Sequence, residues 1–471
     1  MLAKQAELSA LSNTTTFLQG NNCLKLLDRL IGRLTYIAWD TKEGHVRLSE
    51  QKNLLKQQYW SHADITSLQT EKLNLLIKHA ATTSKWYKRV IDEIGLDTSK
   101  RITLADLQRF PITTKKEIRE NTSSFISSSF DPNRMPKAKT GGSTGVSLNL
   151  FFDERCQKLR NGAQIYADSF SGWKPGTRIA AIWGNPPIAV SLKQKVRSFL
   201  LERMIYLDTM DLNPTTMDAF VKKWRHFSPD MIFGHSHSIY IFAKYLLEQK
   251  ITDLRPVGVV ATSMMLLDQE RQVIENAFQC KVSNRYGCEE VGLIAVECEA
   301  HKGMHINSSH IILECLDEND LPVPYGTPGK LVITDLNNFG MPLIRYKVED
   351  VGVLSKHLCS CGRTTPILER LEGRVADFLK KPDGGQVAGV SLVERTLTKI
   401  PGIEQMQLVQ EKLNEIIINR VKGPEYTQLT DDALLTEFGQ VFGTDVTLVI
   451  KNVEKIPQEK SGKYRFSICK V

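Results

Sequence analysis

Apolar positions change their spacing along the chain, and each change marks a different kind of element. QTEKLNLLIKHAATTSKWYKRVIDEIG (69–95) spaces them at three and four, which predicts one amphipathic helix ending on Gly95. The whole of residues 1–130 reads as mainly helical. From 148 onward come short apolar runs, LNLFF (148–152), RIAAIW (178–183) and PVGVVAT (256–262), each too short for a helix. SIYIFAKYLLEQK (238–250) returns to helical spacing between them, and alternation of that kind predicts a layered α/β domain. HIILECL (310–316) and GKLVITDL (329–336), separated by the turn formers PVPYGTPG, predict a β-rich part over about 301–372. Further on, EQMQLVQEK, LNEIIINRV, a helical stretch near 431–442 and DVTLVIKNV give strand, strand, helix, strand.

The expected fold class is therefore α/β. A helical N-terminal extension (1–70) precedes a large layered domain (71–372) of sheets flanked by helices, with the β-rich part as a subdomain. A small, mobile α+β C-terminal domain (373–471) follows. LEGRVADFLKKPDGG (371–385), charged and glycine-bearing, reads as the linker. A length of 471 residues fits two or three domains.

Charge changes this picture little. The chain has 61 basic and 53 acidic residues, a formal +8 without a long basic run. That suits an anionic small ligand and speaks against nucleic acid as a partner. No stretch is long and apolar enough to span a bilayer, so no membrane insertion is expected. The first twenty residues lack the layout of a secretory signal. Nine cysteines, odd in number and widely spaced, favour a reducing compartment, so the expected location is the cytoplasm.

Candidate chemistry sits in five short stretches. AKTGGSTGVSLNL (138–150) offers glycine N–H groups and hydroxyls to a phosphate, and serves equally as a strand-connecting turn. In NRYGCEEVGLIAVEC (284–298), Tyr286 presents an aromatic face and Glu290 a carboxylate of the kind that holds Mg²⁺ beside phosphates. TDLNNFGMPLIRYKVEDVG (334–352) brings Asp350, suited to ribose hydroxyls, and Arg345, suited to a phosphate or an acid. Arg374 follows a glycine in RLEGRVADF, and Lys463 follows Gly462 in KSGKYRF.

In this order, K-T-G-G-S-T-G, Y-G-C-E-E, I-R-Y-x-x-x-D, G-R-x-x-D and S-G-K-Y-R resemble the adenylate-forming superfamily of acyl-CoA synthetases, adenylation domains and luciferases. Within it the chain is similar to the phenylacetate–CoA ligase group, including its capsular-polysaccharide-biosynthesis-protein-like members. The resemblance runs from about residue 70 to the end. It implies that Thr140, Gly141, Gly142, Ser143, Thr144 and Gly145 wrap the β- and γ-phosphates of ATP. Tyr286 and Gly287 would lie beside adenine, Glu290 would bind Mg²⁺, and Asp350 would hold the ribose, with Arg374 near the nucleotide. Asp377 matches the hinge of the C-terminal domain. Lys463 matches the catalytic lysine that meets the carboxylate and the α-phosphate.

The implied activity is ATP-dependent activation of a small carboxylic acid as an acyl-adenylate, AMP-forming, with transfer to a thiol, coenzyme A. The alternatives are an amide synthetase with an amine acceptor, a carrier protein as acceptor, or a non-catalytic nucleotide-binding scaffold. Oligomeric state stays open, with a homodimer compatible. Two departures stand out. Glu349 replaces the glycine of the family's R-Y-x-x-G-D, and Cys288 and Glu289 replace the commoner Ser-Thr before Glu290. His235 and His237 fall where the family lines its acyl pocket, and Trp183 reads either as a wall of the same pocket or as core.

Cys298, His305, Cys359 and Cys361 form C-x₆-H followed by C-S-C-G-R. Two soft-ligand pairs near β turns can assemble a closed, structural tetrahedral Zn²⁺ site. The C-x-C spacing is tighter than the usual C-x₂-C, and the competing reading is four unrelated side chains.

Overall fold

The computed structural model describes residues 27–140, 148–184, 191–372, 378–456 and 465–471. Helices come first: residues 27–42, then Val46–Gln57, His62–Thr83 and Lys85–Glu93, with three short ones as far as Phe125. The single helix expected over 69–95 is two helices. Ser84 adopts extended angles, closes the first helix and caps the second by accepting the Tyr87 N–H, a local bond that competes with helix continuation. Gly95, at φ 59°, stops the second helix as the sequence suggested.

β1 (Lys137–Thr140) and β2 (Leu148–Phe151) pair antiparallel as a separate ribbon, with Thr140 opposite Leu148. Eleven strands then form one sheet. They are β3 (Ile179–Trp183), β4 (Met204–Asp208), β5 (Met231–His235), β6 (Gly258–Thr262), β7 (Val282–Cys288), β8 (Gly292–Glu297), β9 (Met304–Ile306), β10 (Ile311–Leu316), β11 (Pro328–Asp335), β12 (Tyr346–Ser355) and β13 (Ile367–Glu372). Their order is β10-β11-β12-β13-β9-β8-β7-β6-β5-β3-β4. The half from β4 to β7 is parallel and the rest is antiparallel. The β-rich part at 301–372 thus continues the same sheet through β9.

Strands buried on both faces read as unbroken apolar runs, which is why RIAAIW and PVGVVAT lack alternation. Helices Pro214–Phe227, Ser236–Glu248 and Asp268–Phe278 bury Phe220, Phe242 and Phe278 against one face of the parallel half. Ile165 of helix Glu154–Ser169 packs on the other face, against Ile179, Met231 and Val260. Val46–Gln57 lies on Glu154–Ser169 and crosses it at Gly162. A Cβ on Gly162 would stand 2.7 Å from Glu50 Cβ and 2.9 Å from the Arg47 carbonyl oxygen, so only glycine allows this approach. The helices His62–Thr83 and Lys85–Glu93 bury their apolar faces on the antiparallel half.

At the C-terminus β14 (Phe378–Lys380) and β15 (Gln386–Ala388) form a hairpin. β16 (Ile403–Lys412), β17 (Glu415–Lys422), β18 (Thr447–Asn452) and β19 (Ser467–Cys469) form a sheet in the order β18-β17-β16-β19. Helices Gly389–Lys399 and Gln428–Phe442 pack on it around Leu392, Leu434 and Phe438. Of the stretch expected as a linker, 371–385, residues 373–377 lie outside the described residues and the part from 378 belongs to this hairpin. The glycines of KKPDGG mark the hairpin turn, with Gly384 at φ 83° and Lys381 N–H bonded to Gly385 O at 2.8 Å. Arg119–Glu404 (3.2 Å) and Lys381–Asp211 (3.0 Å) are ion pairs between this unit and the rest of the chain.

Candidate active site

The chain leaves β3 for β4 on one side and returns to β5 on the other. Such a switch point opens a crevice at the carboxyl ends of parallel strands, where ligands of α/β folds bind. Trp183, His235 and Thr262 end β3, β5 and β6, and with Tyr286 of β7 they line a cleft of about 1010 Å³. Lys115, Glu290, Asp350 and Arg395 line it as well.

YGCEEVG is the tip of the β7–β8 hairpin. Gly287 is required there, because a Cβ would meet the Gly292 carbonyl oxygen at 2.5 Å. The turn tucks Glu290 inward until it is 5% exposed, and the Tyr346 hydroxyl donates to its Oε1 at 2.8 Å. Burial pushes the Glu290 carboxyl pKa up. Lys115, a backbone amide and Tyr346 outweigh that, leaving it below the ordinary carboxylate value and the group ionised. The Tyr286 hydroxyl donates to Asp350 Oδ2 at 2.8 Å, so the two candidate nucleotide contacts are joined.

Lys115 was missed in the sequence. Its ammonium lies 3.6 Å from Glu290 Oε1 and 3.3 Å from Glu349 Oε2. The local cause is legible: T-K-K-E makes a capping box in which the Glu117 carboxylate takes the Thr114 N–H and Thr114 Oγ1 takes the Glu117 N–H. The long-range cause is not. Thr113 bridges to β12, donating to the Arg345 carbonyl and accepting from the Lys347 N–H, both at 2.9 Å, and this carries Lys115 to the carboxylates.

Glu349 explains its own departure from the family pattern. It sits at φ 65°, where the β11–β12 register shifts, a bulge that suits glycine. Here a side chain accepts the strained backbone and meets Lys115. Glu349→Gly is expected to be about 1 kcal/mol more stable than Glu349→Ala, because both lose the carboxylate and only alanine keeps the left-handed penalty. Equal stability of the two variants in urea unfolding would count against a strained Glu349.

The remaining candidates divide. Arg345, open between phosphate and acid in the sequence, pairs with an acid: it grips both oxygens of Glu314 (3.1 and 3.0 Å) and donates to the carbonyls of Gln108 and Phe110. His235 faces the cleft with its ring 4.1 Å from Trp183, and burial lowers its pKa to about 4, so it is neutral. His237 instead pairs with Glu270 and does not line the cleft. Trp183, open between pocket wall and core in the sequence, is a cleft wall stacked on Phe233. Gly141, Gly142, Ser143, Thr144, Gly145, Arg374, Asp377 and Lys463 lie outside the described residues, as does the side chain of Thr140.

Behind the cleft wall, Cys298, His305, Cys359 and Cys361 come together with their ligand atoms within 4.8 Å of one another. The Cys298 and Cys359 sulfurs are 3.6 Å apart, and Cys361 Sγ is 3.3 Å from His305 Nε2. Tetrahedral Zn–S bonds of about 2.3 Å place two sulfurs about 3.8 Å apart, so this donor set fits zinc. Thr365 Oγ1 sits 2.8 Å from His305 Nδ1, which turns Nε2 toward the sulfurs. Cys298 and His305 directly follow the cleft residues Glu297 and Met304.

Residues 379–470 match the family described as the CapK C-terminal domain. The chain is 26% identical over 441 residues to Protein CapK of Staphylococcus aureus, covering 88% of this chain and 94% of that protein. It is 25% identical over 354 residues to the phenylacetate-coenzyme A ligase of Thermus thermophilus, covering 72% of this chain and 76% of that one. Among solved structures, 2-hydroxyisobutyryl-CoA ligase in complex with 2-HIB-AMP and CoA shares the fold at a TM-score of 0.60 and 17% identity, with 88% of this chain and 92% of that chain covered.

Proposed function

We propose, for a chain that fits the adenylate-forming superfamily in its phenylacetate–CoA ligase group, that it joins a carboxylic acid to coenzyme A through an acyl-adenylate. The phenylacetate–CoA ligase relatives support an AMP-forming, adenylating ligase activity. The observation that carries the fuller reading is the meeting of Tyr286, Asp350, Glu290 and Lys115 in one cleft.

A carboxylate is a poor electrophile, so its oxygen attacks the α-phosphate of ATP, pyrophosphate departs, and the acyl carbon gains AMP as a leaving group. Asp350, steadied by the Tyr286 hydroxyl, accepts from the ribose. At formal charges Lys115, Glu290 and Glu349 sum to −1, and Asp350 takes these four together to −2, beside the basic Arg395 that also lines the cleft. Glu290 is the residue that would hold Mg²⁺, which when bound neutralises phosphate charge. By the resemblance, Thr140 to Gly145 take the departing phosphates, Arg374 lies near the nucleotide, Asp377 is the hinge, and Lys463 meets the α-phosphate. The four-ligand Cys/His cluster is read as a closed Zn²⁺ site without an open catalytic position.

ATP–pyrophosphate exchange across a panel of carboxylic acids tests the reading. Acid-dependent exchange is expected, followed by adenylate consumption on adding coenzyme A. Nucleotide binding without exchange for any acid would leave only a scaffold, and consumption by amines alone would make the protein an amide synthetase.

A further inference from the structure

The helix over residues 27–42 turns the apolar side chains of its first turns outward. Its inner side begins polar and small, where Asp28 pairs with Arg178 and Arg203 and Gly32 lies against the Arg203 guanidinium, and turns aromatic farther on, where Tyr36 packs against Trp173. Leu27, Leu30, Ile31 and Leu34, spaced at three, four and seven, fall together on the opposite side, 47% to 58% exposed. A globular helix normally shows the reverse arrangement.

A second helix beside it also exposes an apolar stripe. Leu192, Val196 and Phe199 line one side of Leu192–Arg197 and of the π turn Ser198–Glu202, and they are 49% to 78% exposed. The two helices lie side by side. Phe199 and Asp28 border the same hollow of about 140 Å³, and the Arg197 guanidinium stands over the Trp39 ring at 6.0 Å. The surface flanks β4, the edge strand of the sheet, and its second helix begins eight residues after the cleft residue Gly184.

Charge selects the occupant. Among the described residues of both helices, every exposed charged side chain is basic: Arg33, Lys42, Lys195, Arg197 and Arg29, the last paired with Asp230. Apolar side chains rimmed by cations suit the interface of an anionic bilayer, where each basic residue adds about 1 kcal/mol. A second copy docking face to face would instead bring two basic rims together. None of the described helices is long and apolar enough to cross a membrane, so the contact is peripheral.

We propose that this two-helix face docks the protein on anionic phospholipid surfaces. The proposal is independent of the chemistry in the cleft, and its test uses no activity. Cosedimentation of the full chain with phosphatidylcholine vesicles, with and without about 30% phosphatidylglycerol, reads it directly. Binding is expected only with the anionic lipid and is expected to weaken steeply in high salt. Leu30→Glu with Phe199→Glu should weaken it at least about tenfold. Arg33→Glu with Lys195→Glu should weaken it as an independent pair, and circular dichroism should find both variants folded because the altered side chains are exposed. Three results overturn the proposal. One is wild-type protein that ignores phosphatidylglycerol, another is binding that survives both pairs, and the third is a solution dimer that the apolar pair dissociates.

Discussion

Glu290→Gln is expected to lower ATP–pyrophosphate exchange about a hundred- to a thousandfold, the usual loss when a preorganised electrostatic partner is removed from an acyl- or phosphoryl-transfer site. The substitution keeps shape and the Tyr346 hydrogen bond while removing one charge. The fold should survive it, because Lys115 keeps a counter-ion in Glu349 at 3.3 Å. A buried ammonium left with no carboxylate would cost several kcal/mol; here the residue in the family's glycine position prevents that. Magnesium titration separates a ligand from a packing residue. If Glu290 holds the cation, the variant should need more Mg²⁺ and recover part of its exchange as the concentration rises. Near-normal exchange with the parent's Mg²⁺ dependence would end the assignment.

The sequence made the parallel half of the sheet legible because its strands are buried on both faces and leave continuous apolar runs. The order of the glycine loop, Tyr286, Glu290, Asp350 and Lys463 carried the likeness to adenylate-forming ligases, although neither the loop glycines nor Lys463 fall among the described residues. What stayed hidden depends on contacts between distant segments. Lys115 reaches Glu290 only because Thr113 bridges to β12, 233 positions along at Tyr346, and no local pattern encodes that pairing. Arg345 looked equally suited to phosphate until Glu314 and two carbonyls took its guanidinium. Ser84 shows the opposite failure: a short-range hydroxyl bond splits a helix whose apolar spacing continues unbroken.

Protein purified without chelators is expected to carry about one zinc per chain, and Cys359→Ser to carry almost none. Zinc binding is worth about 10–16 kcal/mol in isolated fingers, where it supplies nearly the whole fold. Here β9 and β13 are also held by their own backbone pairing, so the loss should be smaller, on the order of 5 kcal/mol. That corresponds to a fall of about 10 °C in the first unfolding transition. Catalysis should suffer with stability. Glu297 takes the Asn284 N–H at 2.8 Å and two hydrogen bonds from Arg271 Nη2 as a cleft wall, and its neighbour in the chain is Cys298. Unpinning Cys298 from Cys359 frees that wall to shift. Cys315→Ala is the control, since Cys315 is equally buried but bonds to the Gly352 carbonyl, away from the cluster. It should lose packing energy and keep its zinc. Less than about a tenth of a zinc per chain in the parent, or full zinc in Cys359→Ser, would reduce the four side chains to neighbours without a metal.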